Sequence, residues 1–500
     1  LKRGITTLAA TPSLEWLLGS RKAAAQDGGS EPHYFLQVVI AGGVDPTYMF
    51  DARPLRFTDA GKLSNFTYKN AATGIATLGA ERAAPKVLSN RLAGGDAALY
   101  SPLVEPLMRW RDQFTVVNGI TMLLDGGVSH GQNMYYLMNG ASVRGDSFVP
   151  YIGARSGAPL ESVHIGSSLF GAFAGDGNQE PTNFSGSVVL SYDIGGRIGV
   201  DLESGVPLDL DSRALKYVLQ RYKATSGNGM FSGGIAKLRS GLEQGPGLAN
   251  ALRAMRPPEQ PTGRTPDPFD DRLPPEWGDM NGNLDLAFLY LKSGATSAVT
   301  LLVDGDPYLD VHDASQAQRS VEKYEQLVAE LEKLFTYLNT KEGPGGRKLI
   351  DLTTVMIVSE FGRTMVKTDG EFNGIDRSGT DHNPLTNSAI LLGKGINPGC
   401  VIGASDMDKL SDANELIDLP AGHTRFDPEK KRMMGKPFDF ERGRSVDGAG
   451  EFRLEQQLTI NSVLNTVMTL FGVDTQKHRN IKASDDRTIK APVIRQLLKA

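Results

Sequence analysis

With a single cysteine, Cys400, among 500 residues, the chain can form no intrachain disulfide, so the fold must stand on its core or on a bound metal. Beyond the N-terminal segment, no stretch approaches the ~20 consecutive apolar residues that span a bilayer. No basic stripe is present. The formal charge of -5 arises from interspersed acidic and basic residues, which argues against a surface that tracks nucleic-acid phosphates. Gly42-Gly43 follows an apolar run, but no third glycine opens a helix at the spacing of a dinucleotide fingerprint, and a plain turn is the simple reading. No internal repeat is evident.

What is present begins with Lys2 and Arg3 ahead of the mildly apolar GITTLAATPSLEWLLG, then SRKAAAQ with Ala23, Ala24 and Ala25 at a plausible cleavage point. Residues 1–25 are expected to be a truncated export signal of the twin-arginine type, its arginine pair lying upstream, with a periplasmic or extracellular destination. The alternative is a short amphipathic helix that begins the domain. Residues 26–500 read as one large domain, with insertions around 190–280 and 421–453.

The chain is organised around Leu352–Asp406. Val355–Val358 is an apolar, β-branched run of the kind found in a parallel strand covered on both faces, and Glu360 falls just past its carboxyl end. In open α/β sheets that edge is where ligands bind. GTDHNP follows with Asp381 and His382, then a second buried strand at Ser388–Leu392. Earlier, Phe35–Ala41 reads as a central strand whose following loop carries Asp45 and Asp51, and Leu99–Asp112 has helical spacing before a short strand at Phe114–Val117. Ser129 and His130 precede a helix expected to end at Gly140. They either face the cleft from that helix's N-terminus or serve as an ordinary cap and a surface residue. His164 reads as a structural histidine.

Asn281–Lys292 is helical in pattern and Ala298–Val303 a buried strand. Asp310 and His312 then stand two apart, diverging if the loop is extended and converging in a turn. Asp313 and Gln316 form a capping pair for a long helix with Val321, Tyr324, Val328, Leu331, Phe335 and Leu338 at helical intervals. His423 falls in a charged insertion. Alternating strands and helices predict an α/β fold, a mainly parallel central sheet with helices on both faces. Asp45, Asp51, Ser129, His130, Asp310, His312, Glu360, Arg363, Asp381 and His382 would gather at one edge of it. Carboxylate oxygens and imidazole nitrogens are the donors that a divalent metal takes.

The runs IAGGVDPTYMFDARP, SHGQNMYYLMNG, YLDVHDASQ, VSEFGRT, GTDHNP, GASD and LTINSVLNTVMTLFGV resemble the secreted bacterial domain-of-unknown-function family fifteen-oh-one, a distant sulfatase relative within the alkaline-phosphatase-like superfamily. The resemblance implies a sulfatase-like fold with one or two divalent metals (Zn²⁺, Mg²⁺, Ca²⁺ or Mn²⁺) at the carboxyl edge of the sheet. By motif position it implies Asp310, His312, Glu360 and His382 as metal ligands, with Asp45 replacing a carboxylate after the first strand. His130, with Ser129 before it, stands where the superfamily has its nucleophile. Arg363 either holds an anionic substrate through its planar fork or pairs with a neighbouring carboxylate.

Two functions follow from this pattern. One is an exported metal-dependent hydrolase of a phosphate or sulfate ester. The other keeps the fold without turnover, as a binding or assembly protein that holds a structural ion and shows its insertions to a protein partner.

Overall fold

Short aliphatic runs bounded by glycine and polar loops build one central sheet. The computed structural model describes residues 32–52, 85–122, 129–140, 147–156, 162–165, 187–190, 280–293, 296–303, 309–312, 319–364, 371–372, 375–376, 380–406, 433–446, 456–473, 480–482 and 488–499. The sheet contains β1 (Tyr34–Ile40), β2 (Phe114–Val117), β3 (Ser162–Ile165), β4 (Ser187–Leu190), β5 (Ala298–Val303), β6 (Thr353–Ser359), β7 (Ala389–Gly393) and β8 (Val401–Ile402). Their order is β8-β2-β7-β6-β1-β5-β3-β4. β1 lies between β5 and β6 and is parallel to both, with Val38 opposite Leu301 and Ile357. The sheet is mainly parallel; β7 alone runs against its neighbours β6 and β2.

That reversal matters for the site. Ala389, the first residue of β7, pairs with Val358 near the end of β6. The residues just before β7 therefore share an edge with those just after β6, and His382 is delivered to the carboxyl edge without the chain crossing the sheet.

Both faces are covered. Leu36, Val38, Ile40, Val355 and Ile357 pack with α3 (Met280–Ser293) and α4 (Ser320–Thr340), while Phe35, Val39, Met356 and Val358 pack with α1 (His130–Asn139), α2 (Phe148–Arg155) and α5 (Ile460–Leu470). The strand period of two splits each run between two cores, and each fully buried aliphatic side chain contributes ~1.5–3 kcal/mol. One polar row crosses the second face: Gln37, Thr300 and His164 are register neighbours on β1, β5 and β3, all buried, and Thr300 Oγ1 donates to Gln37 Oε1 at 3.1 Å. Burial pushes the His164 imidazole down to about 3, so the ring is neutral.

One local expectation changes. The helical spacing at 99–112 becomes a 3-10 helix over Pro102–Gln113, because Pro106 lies inside it and cannot donate to an α-helical ladder. The long helix α4 begins at Ser320 with Arg319 at its N-cap and no side-chain capping bond. Asp313 and Gln316, His423, residues 1–25 and most of both expected insertions lie outside the described residues. Among the described residues no helix is long and apolar enough to cross a membrane.

Candidate metal centre

Four chain segments meet at the carboxyl edge. After β1 the chain turns at Gly42 (φ +101°), where an added Cβ would lie 2.6 Å from the Asp310 nitrogen, so the close approach of the two loops requires glycine. Gly43 (φ +82°) makes room in the same way for the Phe361 ring, 2.3 Å from where its Cβ would be. Past β6, Gly362–Arg363 pairs antiparallel with His382–Asn383, which sets His382 beside Arg363. The fourth segment is the start of α1. Ser129 Oγ caps it by accepting from Gln132 N at 3.3 Å, which leaves His130 as the first helical residue.

His130, Asp310, His312 and His382 converge so that one donor atom from each lies within 4.8 Å of the others. Asp310 Oδ1 is at their centre, 3.0 Å from His312 Nε2, 3.4 Å from His130 Nε2 and 3.9 Å from His382 Nε2. His312 Nε2 and His382 Nε2 face each other at 2.9 Å. Two such nitrogens share at most one proton, so three imidazoles and a carboxylate oxygen aimed at one point form a donor set short of hydrogens. That is the composition a cation bound by nitrogen and oxygen takes, and these residues fit a divalent metal.

The cluster is held from behind. Glu360 is fully buried; its Oε1 accepts from His130 Nδ1 and from Gly42 N, each at 2.8 Å, and its Oε2 accepts from Ser359 Oγ at 2.8 Å. A carboxylate on the far nitrogen of an imidazole fixes its tautomer and aims the other nitrogen at the centre. Arg363, also buried, donates from Nε to Gly42 O at 2.8 Å, from Nη1 to Thr380 O at 3.2 Å and Thr380 Oγ1 at 3.3 Å, and from Nη2 to Asp310 Oδ1. Phe361 packs against His130 and His382, with ring centroids 4.9 and 4.2 Å away.

The charges interlock. Burial opposes ionisation of Asp310, but the three imidazoles and the Arg363 guanidinium outweigh it and hold the carboxyl well below the usual carboxylate range. Burial likewise opposes charge on His130, yet Asp310 and Glu360 raise the ring to about 9. Burial would raise Glu360, and His130 beside it lowers it instead. Binding of a cation would require His130 to release its proton.

The expected ligands thus separate into two tiers. Asp310, His312 and His382 meet, and His130, at the superfamily's nucleophile position, meets them too. Glu360 lies behind His130. Asp45 is outside the group: its Oδ1 accepts from Thr47 N at 2.9 Å and Thr47 Oγ1 at 2.6 Å, capping a 3-10 turn at Pro46–Tyr48, while its N–H donates to Tyr324 OH at 2.5 Å. Asp51 is buried beyond that turn. Asp381 Oδ1 accepts from His382 N at 2.8 Å and stands 3.9 Å from His312 Nδ1. Ser129 spends its hydroxyl on the helix cap, and the Arg363 fork is filled by protein oxygens. Sequence reasoning missed Gly42, Phe361 and Thr380. The Gly42-Gly43 pair was the available signal, since two adjacent glycines after a central strand mark a close backbone approach as well as a turn.

Comparison with known proteins finds a family match over part of the chain. Residues 296–423 match the family described as "Protein of unknown function (DUF1501)". The matched DUF1501 segment runs from β5 past β8 and carries Asp310, His312, Glu360, Arg363 and His382; His130 lies before it. No curated protein matches. Among solved structures, the crystal structure of the PsFucS1 sulfatase from Pseudoalteromonas sp. is similar at a TM-score of 0.26 and 10% identity, over 79% of this chain and 68% of that one. At that TM-score no residue role passes from the sulfatase to this chain.

Proposed function

We propose that the protein is an exported, sulfatase-like or phosphatase-like metal-dependent hydrolase of a phosphate or sulfate ester. The observation that carries this reading is the convergence of His130, Asp310, His312 and His382 at the edge of an α/β sheet where ligands gather. A divalent metal held by these four residues would supply Lewis-acid polarisation of an ester oxygen or a bound water of lowered pKa. The chain's own residues do the positioning. Glu360 aims His130, Arg363 holds Asp310, and Phe361 packs against two of the rings. The export part rests on the residue pattern of 1–25.

A second reading has its own support. Ser129, which stands beside the nucleophile position, and Arg363, the candidate anion fork, are both committed to internal bonds, which favours a binding or assembly protein with a structural ion. Metal analysis of the purified chain, with hydrolysis assays on aryl phosphate and aryl sulfate, separates the two. Turnover that disappears in His312→Ala supports the hydrolase; bound metal with neither ester cleaved supports the binding protein.

A further inference from the structure

We infer that the centre is a single-ion site that selects an imidazole-seeking transition metal of the Zn²⁺ class against Mg²⁺, Ca²⁺ and Mn²⁺. The inference rests on the metal-centre reading above and sharpens it to a class of ion.

The donor count points this way first. Three of the four converging atoms are imidazole nitrogens and one is an oxygen. Ca²⁺ takes six to eight oxygens, and Mg²⁺ keeps several waters and carboxylates in near-octahedral geometry. Imidazole suits Zn²⁺ and its neighbours, and Mn²⁺ stands at the weak end of the divalent series for nitrogen sites.

Charge points the same way. Hard cations are held by anionic oxygens, and among the described residues Asp310 is the one carboxylate in the cluster. Its Oδ1 already accepts from Arg363, a guanidinium that three further bonds to Gly42 and Thr380 prevent from swinging away. The other nearby buried carboxylate, Glu360, is turned outward from the centre, with both oxygens taken by His130 Nδ1, Gly42 N and Ser359 Oγ. An ion entering the cage meets three imidazole nitrogens and a carboxylate whose charge is matched by Arg363, so affinity for nitrogen decides which metal stays. The fixed guanidinium beside the Asp310 oxygen also disfavours a second cation.

The test is titration of the metal-stripped chain with ZnCl₂, MnCl₂, MgCl₂ and CaCl₂, each alone, followed by calorimetry and by the shift in melting temperature. The expected result is one Zn²⁺ per chain, bound at least about tenfold more tightly than Mn²⁺, with smaller or no response to Mg²⁺ and Ca²⁺. In His312→Asp, which exchanges a nitrogen donor for an oxygen at a partly exposed position, the Zn²⁺ to Mn²⁺ affinity ratio should narrow by about tenfold. Comparable or tighter binding of Mg²⁺, Ca²⁺ or Mn²⁺ by the wild type, two Zn²⁺ per chain, or an unchanged ratio in a folded His312→Asp overturns the inference and leaves the metal centre standing. Binding of none of the four ions overturns both. Should His312→Asp fail to fold, the wild-type ratios and stoichiometry decide alone.

Discussion

Glu360→Gln isolates the support behind His130 from the ligand set itself. Gln is nearly isosteric, and its amide oxygen can still accept from Gly42 N and His130 Nδ1, while its NH₂ faces Ser359 Oγ, a hydroxyl able to turn and accept. What changes is charge. A hydrogen bond to a charged group contributes about 1.5–3 kcal/mol against about 0.5–1.5 for a neutral one, so the hold on the imidazole weakens by roughly 1–2 kcal/mol. Removing a fully buried carboxylate also relieves its desolvation, which offsets part of the lost bonding and leaves metal-free stability within about 1 kcal/mol of wild type. Metal affinity should suffer more, because loss of such an outer partner typically costs about 10–100-fold. The assay is chelator competition for Zn²⁺ on wild type and variant, with urea unfolding of both metal-free proteins. Unchanged affinity, or a stability loss as large as the affinity loss, would refute the assignment of Glu360 as the group that aims His130.

Three other outcomes follow from the same geometry. Gly42→Ala places a side chain at φ +101° against the Leu309–Asp310 backbone, and should cost about 1–3 kcal/mol in urea unfolding and lower Zn²⁺ affinity, since Asp310 must shift. Asp45→Ala removes the cap of the 3-10 turn and should cost about 1 kcal/mol while leaving metal content unchanged; loss of metal would return Asp45 to the ligand set. For His164, the folded ring titrates near 3 and the unfolded one near 6.5, so the unfolded state binds more protons between those values. Stability should be intact above about pH 6.5 and fall by on the order of a few kcal/mol as pH drops toward 3, and His164→Leu should flatten that slope in melts from pH 7 to 4.

The strands that build the site were legible because each is a short apolar run ended by glycine or a polar residue, and β1, β2, β5 and β6 lie within two residues of where periodicity puts them. The residue types at their tips were legible too. Chain spacing does not say which way a tip residue turns. Glu360 and Asp310 both follow central strands, but Gly42 N and Ser359 Oγ draw Glu360 back, whereas Arg363 holds Asp310 forward. Asp45 is pulled aside by Thr47, two residues on, a local competition that spacing leaves open. Motif position puts His130 where the superfamily has its nucleophile, but that its ring meets those of His312 and His382 depends on residues distant in sequence. The direction of β7, which brings His382 to the edge, is a property of pairing that the composition of an apolar run does not encode.

The account stands or falls on whether His130, Asp310, His312 and His382 hold one ion together. Zn²⁺ titration of the metal-stripped chain beside its His312→Ala and His382→Ala variants measures this directly. One ion per wild-type chain, with affinity lost in each variant while the metal-free folds stay intact, is the predicted result. A wild type that binds no ion, or variants that bind as tightly as wild type, would contradict it.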